Sequence, residues 1–143
     1  MPASAELAIS GREAIFLAMT NDSYPALPHD HGQPFEKEMH SMPSSESFRT
    51  LADIYKELGD ESRLRIFWLL CHCEECVINI SSMVQMSSPA VSHHLRQLRS
   101  GGLIESTRRG KEVYYKAADT DKTRLLHSMI ESMMEIACPW GEH

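Results

Sequence analysis

The sequence predicts a mainly α-helical domain that carries one small β-hairpin. Apolar residues recur at three- and four-residue spacing through most of the chain from Glu46 to Ala137, as they do in amphipathic helices. Around Arg109-Gly110-Lys111 this spacing gives way to alternation, which indicates two short strands joined by a tight turn. At 143 residues and 42% hydrophobic content, the chain can bury one core.

The first 45 residues differ from the rest. Ala5–Met19 is predicted to form a short helix, although Gly11 interrupts it. Asn21–Ser45 is rich in proline and serine, so we expect an extended linker or flexible arm. The expected organisation is an N-terminal arm over 1–45, one domain over 46–138 and a short tail over 139–143.

Three helices are expected between the arm and Met86. The shared apolar face of the first consists of Phe48, Leu51, Ile54, Tyr55 and Leu58, and Gly59 ends that helix. The apolar residues of the second are Leu64, Ile66, Phe67, Leu69 and Leu70. The third runs over Asn79–Met86 and is expected to direct Ile80, Met83 and Val84 inward.

The next helix, Ser88–Ser100, has the most complete set of signals. Ser87 or Ser88 can cap its first amides, Pro89 suits its first turn, and Gly101-Gly102 end it. Its apolar stripe consists of Val91, Leu95 and Leu98. Off the stripe lie Ser88, Ser92, His93, Arg96 and Arg99. A short helix with this polar face suits the DNA major groove.

The charge is concentrated where such a helix needs it. The whole chain has a net charge of −6, but residues 88–118 carry six basic residues against two acidic ones. A basic segment of this kind favours double-stranded DNA as the partner. The expected DNA contacts are Ser87, Ser88, Ser92, His93 and Arg96 from the helix and Arg108, Arg109 and Lys111 from the hairpin. Arg96 is the best candidate for bidentate contact with guanine, and the hairpin cations would hold phosphates.

The last helix, from about Asp119 to Ala137, carries a long apolar stripe. Its members are Leu126, Met129, Ile130, Met133 and Ile136. The core of so small a domain cannot bury the whole of this apolar stripe. We therefore expect it to pair with a second subunit and form a homodimer.

A cysteine cluster at Cys71, Cys73 and Cys76 is the second chemical feature. Thiolates bind soft ions such as Zn(II), Cd(II), Pb(II) or trivalent arsenic. On a continuous helix Cys71 and Cys73 would point to nearly opposite sides, so Cys73 and Cys76 match better unless the backbone unwinds after Leu70. Cys138 is the remaining thiol. The same cysteines could instead act as a thiol redox switch.

Four segments together resemble the ArsR/SmtB family of winged helix-turn-helix repressors. They are Gly59–Ile66, Ser88–Leu98, Gly102-Leu103-Ile104 and Gly110–Tyr115. The resemblance covers roughly Phe48 to Ile136. It implies a cytosolic bacterial homodimer that binds an operator and leaves it when an inducer, usually a metal ion, binds.

The resemblance also implies two kinds of metal site. Thiolate sensors of the family often carry Cys-Val-Cys near the first motif helix, completed by an N-terminal arm, whereas here Cys76-Val77 is followed by Ile78. Cys71 and Cys73 would replace the missing thiol, and the arm offers His29, His31 and His40. The family's other site corresponds here to Asp119, Asp121, Ser132 and Glu135. That set has no imidazole, so we expect at most weak binding of a hard ion by Asp119, Asp121 and Glu135.

Other functional classes lack their signals. The sequence contains no nucleophile elbow, P-loop or dinucleotide fingerprint, so we expect neither an enzyme nor an organic cofactor. Cys73 and Cys76 have the spacing of a thiol-disulfide pair, but the strand-helix-strand pattern of a thioredoxin-like domain is missing. No signal peptide begins at Met1 and no stretch approaches membrane-span length, which predicts a cytoplasmic protein with no membrane contact.

Overall fold

The computed structural model describes residues 26–138 of the chain. The predicted helix Ala5–Met19 and the tail 139–143 lie outside these residues. Residues up to Phe48 and residues from Arg49 onward form two compact units. The elements in chain order are α1 (Glu36–Ser41), α2 (Ser45–Glu57), α3 (Glu61–His72), β1 (Glu75–Cys76), α4 (Val77–Val84), α5 (Ser88–Ser100), β2 (Ile104–Arg109), β3 (Glu112–Ala117) and α6 (Asp121–Ala137).

Helix α1 corrects the expected linker Asn21–Ser45, because six of its residues are helical. Pro34 lies before α1 and Pro43 lies after it, so no proline interrupts the turn. Glu36 in the first turn and His40 in the last complement the helix dipole. The two prolines therefore mark the ends of a short helix, whereas from sequence alone they indicate a continuous linker.

Helix α2 confirms the first expected helix, but most of its apolar face is open. Phe48 is 50% exposed, Leu51 45% and Tyr55 50%. Ile54 and Leu58 pack against the core. Part of the apolar face of α2 is therefore left uncovered by the rest of this chain.

Helix α3 confirms the second expected helix and fixes where the backbone leaves it. Asp60 caps its start, where the Asp60 carboxylate accepts the Arg63 backbone N–H at 2.9 Å. The helix continues to His72, and Cys73 is extended. The backbone thus leaves the helix after His72 and not directly after Leu70.

Helices α4 and α5 form the helix-turn-helix. Helix α4 begins at Val77, two residues before the expected start, and ends at Val84. Ile80 and Val84 are buried as predicted, but Met83 is 54% exposed, so its predicted inward orientation is wrong. Ser81, which is only 8% exposed, takes the inward position because it lies on the Val84 side of Ile80 around the helix axis, whereas Met83 lies on the other side.

The hairpin and the sheet lie beside the helix-turn-helix. Strands β2 and β3 pair antiparallel with Arg109 opposite Glu112, so the connecting loop is Gly110-Lys111. Gly110 has a φ of 63°, a conformation that glycine adopts without strain. Strand β1 pairs with the other side of β3 and sets Cys76 opposite Tyr114. Over the described residues 26–138 the sheet therefore has three strands, one more than the sequence predicted.

Helix α6 begins two residues later than expected, after a Thr120 cap that accepts the Thr123 backbone N–H at 3.2 Å. Leu126 is buried, whereas Met129, Met133 and Ile136 are 41%, 60% and 79% exposed. The core beneath α6 consists of Ile66, Phe67, Leu70, Ile80, Val84, Val91, Leu95, Leu98, Leu103, Ile104 and Leu126. This core fixes α5 and the hairpin on one rigid support.

Candidate functional site

Helix α5 has the predicted bounds Ser88–Ser100, and local signals explain both ends. The Ser87 hydroxyl accepts the Ala90 backbone N–H at 3.3 Å, and Gly101 is the C-terminal cap. Val91, Leu95 and Leu98 are buried to within 1% of full burial. The opposite face exposes His93, Arg96 and Arg99 to solvent. The helix is thus anchored by its apolar stripe and presents cations and an imidazole on its free side.

Arg63 holds the middle of α5 to the end of α2. Its Nη1 donates to Gln97 Oε1 at 2.6 Å, and its Nε donates to the Glu57 carbonyl oxygen at 2.7 Å. Charge-assisted hydrogen bonds of this kind are stronger than neutral ones. No sequence pattern singles out Arg63, although it lies in a segment that resembles the family. Its contacts make it a positioning residue for α5.

The two adjacent histidines of α5 have different environments. His93 is exposed, whereas the His94 side chain is only 14% exposed and its Nδ1 lies 4.0 Å from Asp60 Oδ1. The Arg63 backbone N–H, with smaller help from the His94 charge, lowers the pKa of Asp60 below 3.8. His93 can therefore reach a ligand from solvent, and His94 belongs to the packing beneath α5.

The three serines at the start of α5 are only partly free. Ser87 is engaged as the helix cap. The Ser81 hydroxyl donates its one proton to the Val77 carbonyl oxygen at 2.7 Å, so the Ser88 hydroxyl, 3.2 Å from Ser81 Oγ, is the donor of that pair. Ser92 is half-buried. Ser88 is exposed and keeps its oxygen lone pairs for an external donor, which leaves it the best placed of the three for an external contact.

The hairpin tip carries three exposed cations with different internal contacts. Arg108 Nε donates to the Gly110 carbonyl oxygen at 3.3 Å. Arg109 forms an ion pair with Glu74, and its guanidinium carbon lies 4.9 Å from the centre of the Tyr114 ring. Lys111 occupies the loop and is exposed. The tip can reach a phosphate backbone, and Arg109 must leave or share Glu74 to do so.

The cysteine cluster spans the end of α3 and all of β1. Cys71 is in the last turn of α3, the Cys73 thiol donates to the Leu69 carbonyl oxygen at 3.4 Å, and Cys76 is buried beside β3. Burial, helped by the charge of Glu131, raises the pKa of Cys71 to about 11. Burial also raises the pKa of Cys73. Within residues 26–138 these sulfurs are not part of a preassembled group of three ligand atoms.

The other predicted ligands lie in three places. Asp119 and Asp121 both form ion pairs with Arg124, the latter at 2.6 Å. Glu135 is exposed on α6, and Cys138 is exposed at its end. In the N-terminal unit, the rings of His29 and His31 have centroids 6.1 Å apart, and His40 lies in α1. Asp119 and Asp121 therefore already share one guanidinium as their ion-pair partner.

A cluster that sequence analysis missed joins α3 to α6. The Nε2 atoms of His72 and His127 are 3.1 Å apart, and Glu131 Oε1 lies 3.4 Å and 3.2 Å from them. Trp68 Nε1 donates to the same carboxylate oxygen at 2.7 Å. That donation, followed by weaker contributions from the two imidazoles, lowers the pKa of Glu131. The three ligand-type atoms lie close enough together to hold one metal ion.

The available sequence signal was a pair of four-residue spacings. Trp68 and His72 lie on one face of α3, and His127 and Glu131 lie on one face of α6. Each spacing alone is common. Only the packing of α3 against α6 brings the two pairs together.

The fold and the exposed face of α5 define a winged helix-turn-helix DNA-binding protein. Residues 60–106 match the sequence model described as "Bacterial regulatory protein, arsR family". The chain is 35% identical over 92 residues to the "Transcriptional repressor SmtB homolog" of Synechocystis, an alignment that covers 64% of this chain and 70% of that one. It is 31% identical over 88 residues to the "Cadmium resistance transcriptional regulatory protein CadC homolog" of Staphylococcus aureus, covering 61% and 73%.

A solved structure shows the same architecture. The homodimeric winged helix-turn-helix DNA-binding domain of a possible ArsR-family regulator from Mycobacterium bovis superposes with a TM-score of 0.59 at 27% identity, covering 78% of this chain and 96% of that one. The chain therefore belongs to the ArsR/SmtB family of transcriptional repressors, and it is not an enzyme. No helix within residues 26–138 is long and apolar enough to cross a membrane.

Proposed function

We propose that this protein is a cytoplasmic homodimeric repressor that binds double-stranded operator DNA and releases it on binding a thiophilic metal ion. The inducer is of the Zn(II), Cd(II), Pb(II) or trivalent arsenic class. The observation that carries the proposal is the exposed face of α5 beside the cationic hairpin, in a chain of this family. Helix and hairpin face solvent together and share one core.

DNA recognition divides between these two elements. Arg96 lies on the exposed face of α5, where its planar guanidinium can bind guanine O6 and N7 together. His93 and Ser88 are exposed near the start of the helix and suit shorter contacts. Arg108, Arg109 and Lys111 would neutralise phosphates without reading sequence. Ser87 and Ser92 contribute less, because one caps α5 and the other is half-buried.

Dimerisation uses the apolar surface of α6. Met129, Met133 and Ile136 are open in the single chain, and covering them would remove a large apolar area from water. The exposed face of α2 is a second such surface. The Mycobacterium bovis domain of the same fold is homodimeric. A two-fold dimer would present two copies of α5 to successive major grooves.

The inducer site proposed at Cys71, Cys73 and Cys76 lies on the connection between α3 and the helix-turn-helix. Strand β1 contains Cys76 and pairs with β3, so a shift of this segment reaches both α4 and the hairpin. The raised thiol pKa values mean that an ion must displace protons to bind. The relative from Staphylococcus aureus is named for cadmium resistance, which favours a soft ion. Cys138 would complete the coordination.

A redox-responsive repressor is the second candidate, because the same segment holds three thiols within six residues. Oxidation of two of these thiols to a disulfide would fix the conformation of the segment without any metal. Metal titration of fully reduced protein and oxidation of metal-free protein separate the two signals. The candidate whose signal fails to release DNA is eliminated.

The test of DNA recognition measures binding to a duplex selected from random sequence and to its scrambled counterpart. Arg96→Ala should lose about 1–3 kcal/mol of discrimination between the two. Arg124→Ala is the matched control, because Arg124 is an exposed arginine of α6 outside the helix-turn-helix. Equal discrimination by wild type and Arg96→Ala would remove α5 from its assigned role.

The test of the inducer uses Cd(II) with protein kept reduced. Cys73→Ser should retain DNA binding in metal-free buffer and lose Cd(II)-triggered release, because a hydroxyl is a poor soft-metal ligand. Loss of ultraviolet thiolate-to-cadmium absorption should accompany it. Cys138→Ser reports whether the exposed thiol takes part. Release of the Cys73→Ser variant at the wild-type Cd(II) concentration would contradict the thiolate site.

A further inference from the structure

We propose that His72, His127 and Glu131 form a binding site for a divalent transition-metal ion, with a ligand set distinct from the thiolates of Cys71, Cys73 and Cys76. The ion that fits best is Zn(II), with one coordination position left open. The site lies within one chain and joins α3 to α6.

The distances among the three ligand atoms fit a tetrahedral ion. Zinc bonds to nitrogen and oxygen are about 2.0–2.2 Å long, so two ligands of a tetrahedral zinc are separated by about 3.3–3.5 Å. The observed separations are 3.1, 3.2 and 3.4 Å. One ion can thus contact all three atoms with shifts of only a few tenths of an ångström.

Hydrogen bonding alone satisfies this triangle poorly. Two imidazole Nε2 atoms at 3.1 Å can form a hydrogen bond only if one is protonated and the other presents its lone pair. If both histidines were protonated, two N–H groups would face each other. A metal ion uses both nitrogen lone pairs and the carboxylate oxygen at once, which is the coordination of a two-histidine, one-carboxylate zinc site.

The surroundings hold the ligands in place. Trp68 Nε1 donates to Glu131 Oε1 at 2.7 Å, and the Trp68 and His72 rings have centroids 4.3 Å apart. Trp68 and His72 are four residues apart on α3, and His127 and Glu131 are four residues apart on α6, so each pair lies on one face of its helix. Outer contacts of this kind orient metal ligands and raise affinity. Trp68 is therefore a positioning residue, and His72, His127 and Glu131 are the ligands.

The site has a consequence for regulation that rests on the proposed function. An ion shared by α3 and α6 fixes the helix that carries the exposed apolar stripe to the helix that carries Cys71. Occupancy would therefore favour one arrangement of the proposed dimer over another. Binding of the ion itself does not depend on dimerisation or on DNA.

The test uses Co(II) as a spectroscopic probe and Zn(II) as its competitor, on the reduced full-length chain in a Cys73→Ser background, so that the proposed thiolate site does not compete for the ion. We expect visible absorption of tetrahedral Co(II) from a site that shows no sulfur-to-cobalt charge transfer. In a Trp140→Phe background, binding should also change the fluorescence of Trp68, because that indole contacts the ligand Glu131. His72→Gln and Glu131→Gln, on different helices, should each weaken binding at least about tenfold, since loss of even an outer contact costs about that much.

The matched control is Glu61→Gln, the same substitution at an exposed residue in the first turn of α3, where Glu61 pairs with Arg65. It should bind Co(II) as the parent protein does. Unchanged affinity in both His72→Gln and Glu131→Gln, or a loss confined to Glu61→Gln, would overturn the proposal. Circular dichroism of the metal-free variants checks folding, and two independent ligand variants keep the test decisive if one is unstable. DNA binding in metal-free buffer tests the proposed function separately.

Discussion

The Arg109 guanidinium is paired with the Glu74 carboxylate, which joins the last residue of β2 to the segment between Cys73 and β1. The same guanidinium lies over Tyr114, the residue that pairs with Cys76 across the sheet. The hairpin cation that should hold DNA is therefore in contact with the proposed inducer segment. A phosphate and the Glu74 carboxylate compete for one arginine.

Glu74→Gln should increase affinity for scrambled duplex DNA, because Arg109 no longer has a carboxylate partner. Arg109→Ala should weaken binding to all duplexes and reduce the slope of log affinity against log salt by about 1. Fluorescence anisotropy over a salt series measures both. Glu105→Gln is the control, since it also removes one negative charge from the hairpin region but frees Lys116. An equal gain in both glutamine variants would assign the effect to net charge alone.

Met133→Glu should shift the protein from dimer to monomer, because it places a charge in the centre of the open α6 stripe. Operator affinity should fall with it, although no DNA-facing residue has changed. Sedimentation velocity gives the oligomeric state directly. Ser128→Glu adds the same charge on the opposite side of α6 and should leave the state unchanged. Dimerisation of Met133→Glu at wild-type strength would count against this interface.

The Asp60 cap should give α3 an acid-dependent contribution to stability. The folded-state pKa of Asp60 is lowered, so its contribution is fully present above about pH 3.8 and is lost as the pH falls through the folded-state value. Asp60→Ala should cost about 0.5–2 kcal/mol near neutral pH, as lost helix caps do. Urea denaturation of wild type and Asp60→Asn, a cap that cannot ionise, isolates the pH term. A difference between them that stays constant from pH 6 to pH 3 would rule it out.

Thiol alkylation at pH 8 should proceed in a definite order. Cys138 is exposed and should react first. Cys71 should react slowly, because burial raises its pKa to about 11 and leaves little thiolate. Iodoacetamide labelling followed by peptide mass analysis measures the rates. A Cys71 that reacts as fast as Cys138 would indicate an activated thiol and would favour the redox candidate.

Local signals explain which elements the sequence could predict. The bounds of α5 follow from Ser87, Pro89 and Gly101, which act within their own turns. Strand β1 has two residues and exists only through its pairing with β3, so no window of sequence contains its cause. The short α1 was hidden because its flanking prolines dominate the local composition.

The candidate sites divide in the same way. The exposed face of α5 follows from the burial of Val91, Leu95 and Leu98, and helical periodicity is enough to predict it. His72 and His127 are 55 residues apart in sequence, and their contact depends on how α3 packs on α6. The periodicity of an eight-residue helix leaves its buried face ambiguous, so it wrongly predicts an inward Met83.

The separation of charge described above also sets how the protein meets DNA. Residues 49–138 carry twelve basic and twelve acidic residues, so this stretch is neutral overall while its segment 88–118 carries a net charge of +4. The rest of 49–138 carries six basic and ten acidic residues, a net charge of −4. In the field of a duplex such a unit experiences little net attraction at long range but a torque that turns α5 and the hairpin toward the DNA. Encounters in which the acidic side faces the DNA are repelled, so encounters through α5 and the hairpin form a larger share of all collisions. This advantage decreases as salt shortens the range of the electrostatic field.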